Sequence, residues 1–78
     1  MTLATLPIND QVALIHRMAE ELVRVVRNAG VPIQVQDALA QAARALRVAV
    51  SQMRYALTYV TSEGLVNVNR RESTLSIA

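Results

Sequence analysis

Arginine is the side chain with the most chemical reach in this sequence. All eight basic residues are Arg; there are six acids, one histidine and no cysteine. A guanidinium stays charged and offers five donors in a planar fork, so it recognises phosphates and the O6/N7 edge of guanine rather than moving protons. Five arginines fall in telling places. Arg54 stands in "SQMRYALTYVTS" with Ser51, Gln52, Tyr55 and Thr58, Arg70 and Arg71 are adjacent in "NVNRREST", Arg44 precedes the short stretch "RVAV" and Arg47 opens it. Catalytic chemistry has no such support. His16 has no second histidine or cysteine with which to share a metal, and no Ser-His-Asp set can be assembled around it. With only Gly30 and Gly64, there is no glycine-rich phosphate loop. The expectation is a non-enzyme with no catalytic residue, no metal and no cofactor, whose partner is an anion.

Five stretches must position those arginines. Pro7-Ile8-Asn9-Asp10 reads as a helix start with Asn9 or Asp10 as the cap, giving helix 1 over about 9–29. Gly30 and Pro32 stop it. At 100° per residue, Val12, Leu14, Ile15, Met18, Ala19, Leu22, Val25 and Val26 fill one half of the wheel. Glu20–Arg24 and Arg17–Glu21 are i,i+4 pairs on the other half. A surface helix needs an apolar arc of only about 100°, so half a wheel implies a second client beyond the chain's own core. Hydrophobic residues make up 53% of only 78, which also favours self-association. The expected homodimer interface is Val12, Ile15, Met18, Leu22, Val25 and Val26.

Ile33-Gln34-Val35 alternates after Pro32 and reads as a strand over about 33–35. Helix 2 is expected over about 37–46, with Asp37 at its N-terminus and Leu39, Ala42, Ala43 and Leu46 inward. After the four-residue turn, helix 3 is expected over about 51–63, capped by Ser51, with Met53, Ala56, Leu57 and Val60 inward and Gly64 at its end. The period then changes from 3.6 to 2. Val66 and Val68 share one side, Leu75 and Ile77 share one side, and "NRRES" lies between, predicting a hairpin over about 65–78. Without an Asn-Gly pair its loop should exceed two residues. Val66 and Val68 should anchor it to the core. The fold class is mainly α with a small β-hairpin: one domain, 1–78, ordered helix, short strand, helix, turn, helix, hairpin.

That order resembles the winged helix-turn-helix architecture. "LRVAVSQMRYALTYVTSEGLV", Leu46 to Val66, looks most like the DNA-binding domain of GntR-class bacterial regulators. Val48, Arg54, Ala56, Leu57, Val60, Glu63, Gly64, Leu65 and Val66 match the class pattern, and "RRESTLSIA" resembles its wing strand. Arg47 stands where such turns commonly have glycine, Val50 where a polar or basic residue is frequent, and the wing tip is not glycine-rich. The effector-binding domain of the class is not expected here, nor a small-molecule effector.

The resemblance implies a sequence-specific double-stranded DNA-binding protein, a homodimeric repressor on a palindromic operator in the manner of a phage or plasmid regulator. The face of helix 3 opposite its inward residues carries Ser51, Arg54, Tyr55 and Thr58, with Gln52 toward its side, and would enter the major groove. Arg54 would read guanine or anchor a phosphate. Ser51 would bind phosphate beside the free helix N–H groups. Gln52 would meet adenine or the backbone, and Tyr55 a phosphate or a thymine methyl. Arg44 and Arg47 would contact the DNA backbone, and Arg70 and Arg71 the adjacent minor groove. The alternatives are a winged helix protein-interaction module and a plasmid partition or recombination accessory protein. No apolar run approaches the ~20 residues of a membrane span, and "MTLATLPINDQ" lacks a basic start and long apolar segment. A cytoplasmic, nucleoid-associated protein is expected.

Overall fold

The change of period along the chain becomes three helices followed by a hairpin. The computed structural model describes residues 6–78. In it α1 spans Ile8–Ala29, β1 Ile33–Gln34, α2 Val35–Leu46, α3 Val50–Ser62, β2 Val66–Asn69 and β3 Thr74–Ile77. Residues 1–5, the start of the segment read above as lacking signal-peptide features, lie outside the described residues. The architecture is mainly helical with one small three-stranded antiparallel sheet. Among the described residues no helix is long and apolar enough to cross a membrane.

The helix ends differ from expectation in instructive ways. Neither Asn9 nor Asp10 caps α1. The helix follows Pro7, whose ring sets φ at −57°, and the Gln11 N–H donates to the Pro7 carbonyl at 2.9 Å. Helix α2 begins at Val35, two residues early, because the Val35 N–H donates to the Ser73 carbonyl at 2.8 Å. Its far end closes with Arg47 in the left-handed region, φ 57° and ψ 43°. The Arg47 N–H reaches the Arg44 carbonyl at 3.4 Å, and the Val48 N–H reaches the Ala43 carbonyl at 3.0 Å. That is a Schellman ending, a geometry that suits glycine. Gly64 makes the same ending after α3, with the Gly64 N–H on Thr61 and the Leu65 N–H on Val60. Helix α3 begins at Val50, so Ser51 lies inside the helix rather than capping it, and Ala49 has no side chain with which to cap.

The sheet order is β1-β3-β2, so the last strand is central. Ile33 faces Leu75 and Gln34 faces Thr74 on one side. Val66 faces Ile77 and Asn69 faces Thr74 on the other. That register leaves a four-residue loop, Arg70 to Ser73, longer than two as expected. The Asn69 side-chain carbonyl accepts the Glu72 N–H at 3.2 Å, which holds the loop in an Asx-type turn. Val66 and Leu75 are buried and anchor the hairpin. Val68, expected to share that role, is exposed: it pairs with buried Leu75 but borders the open groove beside Leu57.

The core lies where α1, α2 and α3 meet over this sheet. Met18, Leu22, Met53, Val60 and Leu75 are its largest fully buried side chains, and Ala38, Ala42, Ala43 and Ala56 let the helices approach closely. This overturns most of the expected dimer interface. Met18, Leu22, Val25 and Val26 are buried within the chain itself, and Ile15 packs against the same core. The wide apolar arc has two clients, but both are internal: α2 and α3 each pack on α1. Of the six residues only Val12 stands exposed. The surface ion pair also differs. Arg24 pairs with Glu21, three residues away, with the Arg24 Nε donating to a Glu21 carboxylate oxygen at 2.9 Å.

Candidate nucleic-acid interface

One groove brings two of the expected site residues, Arg54 and Arg70, together. It runs between α3, the hairpin and the start of α2. Arg54 and Leu57 line it from α3, Val68, Arg70 and Ser73 from the hairpin, and Gln36 and Asp37 from the first turn of α2. Two strand pairings and one hydrogen bond set its shape. The Gln34–Thr74 and Ile33–Leu75 pairings hold the hairpin against the strand that leads into α2, and the Val35 N–H to Ser73 contact ties the hairpin loop to the helix start. The hairpin therefore stands beside α3 because a two-residue strand fixes it there. Sequence reading found that strand but not its pairing with the last strand, which no local pattern encodes.

Helix α3 presents its polar face outward. Ser51, Arg54, Tyr55 and Thr58 are exposed together, while Met53, Ala56 and Val60 are buried. Tyr55 keeps 55% of its surface open. The hydroxyls are partly committed: Thr58 donates to the Arg54 carbonyl at 3.1 Å and Ser62 to the Tyr59 carbonyl at 3.0 Å. Their lone pairs stay free to accept, so the donor left on this face with charge is the Arg54 guanidinium. Arg54 and Arg70 form no ion pair among the described residues. Asp37 lies in the same groove and offsets one of the two charges.

Other expected contacts fall elsewhere. Gln52 does not flank the outer face. It is 9% exposed, turned inward with Met53 and Ala56, because the buried arc of α3 extends further round than its aliphatic residues alone mark. No buried side-chain polar atom lacks a partner among the described residues, so the inward amide carries no desolvation debt. Arg71 is exposed in the loop next to Arg70 but does not line the groove. Arg47 lines a separate recess against α1, beside Leu14 and Arg17. Arg44 is exposed near the end of α2. The single histidine is in packing, its ring 5.2 Å from that of Tyr59 and tilted 45°.

Charge is distributed unevenly along the chain. Residues 8–29 carry three arginines and three acids. Residues 33–78 carry Arg44, Arg47, Arg54, Arg70 and Arg71 against Asp37, Glu63 and Glu72, which accounts for the whole net +2. The chain from β1 to the hairpin thus carries the net positive charge. One side chain not expected at the site lines the groove, Gln36 in the first turn of α2, and Val50 stands exposed at the head of α3, outside the groove. Comparison of the chain with family models, with curated proteins and with solved structures returned no match.

Proposed function

We propose that this chain is a winged helix-turn-helix domain that binds double-stranded DNA, with α3 in the major groove and the β2–β3 hairpin as the wing. The observation that carries the reading is the groove in which Arg54 of α3 and Arg70 of the hairpin come together beside the outward polar face of α3. A duplex lying against that groove would meet Arg70 with its phosphate backbone while Arg54, with Ser51, Tyr55 and Thr58, faces the base edges. The task that fits is regulation of transcription as a homodimeric repressor on a palindromic site. With the middle of α1 committed to the core, the dimer contact belongs to its first two turns. Ile8 is 75% and Val12 48% exposed, and both continue the stripe that further along buries Ala19, Leu22 and Val26.

That same apolar overhang is what favours the second reading, a protein-interaction module in which another protein covers Ile8 and Val12. A gel shift on random-sequence duplex DNA separates the two. Binding at low salt that weakens steeply as salt rises, and is lost in Arg54→Ala, supports the DNA-binding reading. No binding by the wild-type chain at low salt refutes it and favours the interaction module.

A further inference from the structure

We infer that Val50 is a specificity-determining residue that reads the C5-methyl group of a pyrimidine one turn of α3 away from the base met by Arg54. The inference rests on the DNA-binding reading above and names part of its target. Val50 is the first residue of α3 and is 46% exposed. It belongs neither to the core nor to the residues packed against it. Ala49, just before it, is exposed as well, so the head of the helix is an apolar point in an otherwise polar face.

Nothing in folding requires valine there. A β-branched residue is only a modest helix former, and the capping position belongs to Ala49, so Val50 is not there to cap the helix. The side chain has no hydrogen bond to offer a phosphate or a base edge. In the major groove the apolar feature that base edges present is the methyl at C5, on thymine or on a methylated cytosine. The first residues of such a helix are those that reach base edges. Val50 and Arg54 are four residues apart, so they share one side of the helix at an axial separation of about 6 Å. At about 3.4 Å per base step, the methyl lies one or two steps from the guanine that Arg54 would read.

The test uses the full chain. Bound duplexes are selected from a random pool, and each thymine of the recovered site is replaced in turn by deoxyuridine, which lacks only the methyl. Affinity is read by fluorescence anisotropy for the wild type and for Val50→Ala, whose melting by circular dichroism should match the wild type because the side chain is exposed. The expected result is one thymine at which uracil weakens wild-type binding roughly fourfold, the worth of one buried methyl, and leaves Val50→Ala unaffected. With the pair at that position changed to C·G, a gain of similar size from cytosine to 5-methylcytosine in the wild type would show that the methyl is read whichever base carries it. An equal loss in both proteins overturns the inference, as does a site without a uracil-sensitive thymine or a pool that yields no sequence preference. These outcomes leave DNA binding standing. No DNA binding at low salt overturns both.

Discussion

Removing Arg70 and Arg71 together should lower the salt dependence of DNA binding by a calculable amount. Five arginines carry the positive charge of the 33–78 half of the chain: Arg44, Arg47, Arg54, Arg70 and Arg71. If each neutralises one phosphate, a dimer neutralises about ten, and a slope of about −0.9 per phosphate gives about −9 for log affinity against log salt. Alanine at both loop positions removes four contacts per dimer and leaves a slope of about −5.4. Between 50 and 200 mM salt the wild type should then lose about five decades of affinity and the variant about three. The assay is fluorescence anisotropy with a short labelled duplex over that salt range. Both side chains are exposed in a loop held by the Asn69–Glu72 contact and by strand pairing, so the fold should be unaffected by circular dichroism. Arg24→Ala serves as the control, because Arg24 lies on the outer face of α1 and pairs with Glu21. Equal slopes for the wild type and the double variant would refute the place given to the hairpin. An equal drop in the control would refute the localisation of charge to that half.

Three further outcomes follow from particular contacts. Arg47→Gly should stabilise the fold by about 0.5–1 kcal/mol, since the left-handed conformation costs arginine about 1–2 kcal/mol and the greater freedom of glycine in the unfolded chain offsets part of it; the melting temperature should rise by a few degrees, and a fall would refute the strain assigned to φ 57°. Val12→Glu should leave the circular dichroism spectrum intact and shift sedimentation from dimer to monomer, whereas Leu22→Glu, fully buried, should unfold the chain; a folded Leu22→Glu would contradict the core described above. The hydrogen bond from Arg24 holds the Glu21 carboxyl below its ordinary range; burial opposes it, and the Arg24 charge adds a smaller lowering. A depressed folded value means that the stabilisation is present above the unfolded carboxylate range and is lost as pH falls through the folded value. Arg24→Ala should therefore melt slightly below the wild type near neutral pH, and the gap should close in acid; a gap that persists there would assign the loss to packing of the arginine stem.

Much of this protein is decided locally and can be read from residue types. Gly30 and Gly64 end helices because a left-handed turn suits glycine, the inward residues of α2 and α3 repeat at helical spacing, and the alternation around "NRRES" marks a hairpin with a long loop. The arginines that carry the net charge, and the absence of histidine or cysteine partners that would point to catalysis, are also plain in the sequence. Other features depend on what packs where. Helix periodicity shows that half of α1 is apolar but not what covers it, and the structure covers Met18, Leu22, Val25 and Val26 with α2 and α3, leaving Ile8 and Val12 open. The phase of α3 had to be settled by its neighbours before Gln52 turned inward and Val50 outward, since one residue shifts the face by 100°. Arg54 and Arg70, sixteen positions apart in the chain, share a groove because β1 pairs with β3 and brings the hairpin to α3. That pairing joins residues about forty positions apart, and contacts of such long range leave no local pattern for a sequence to display.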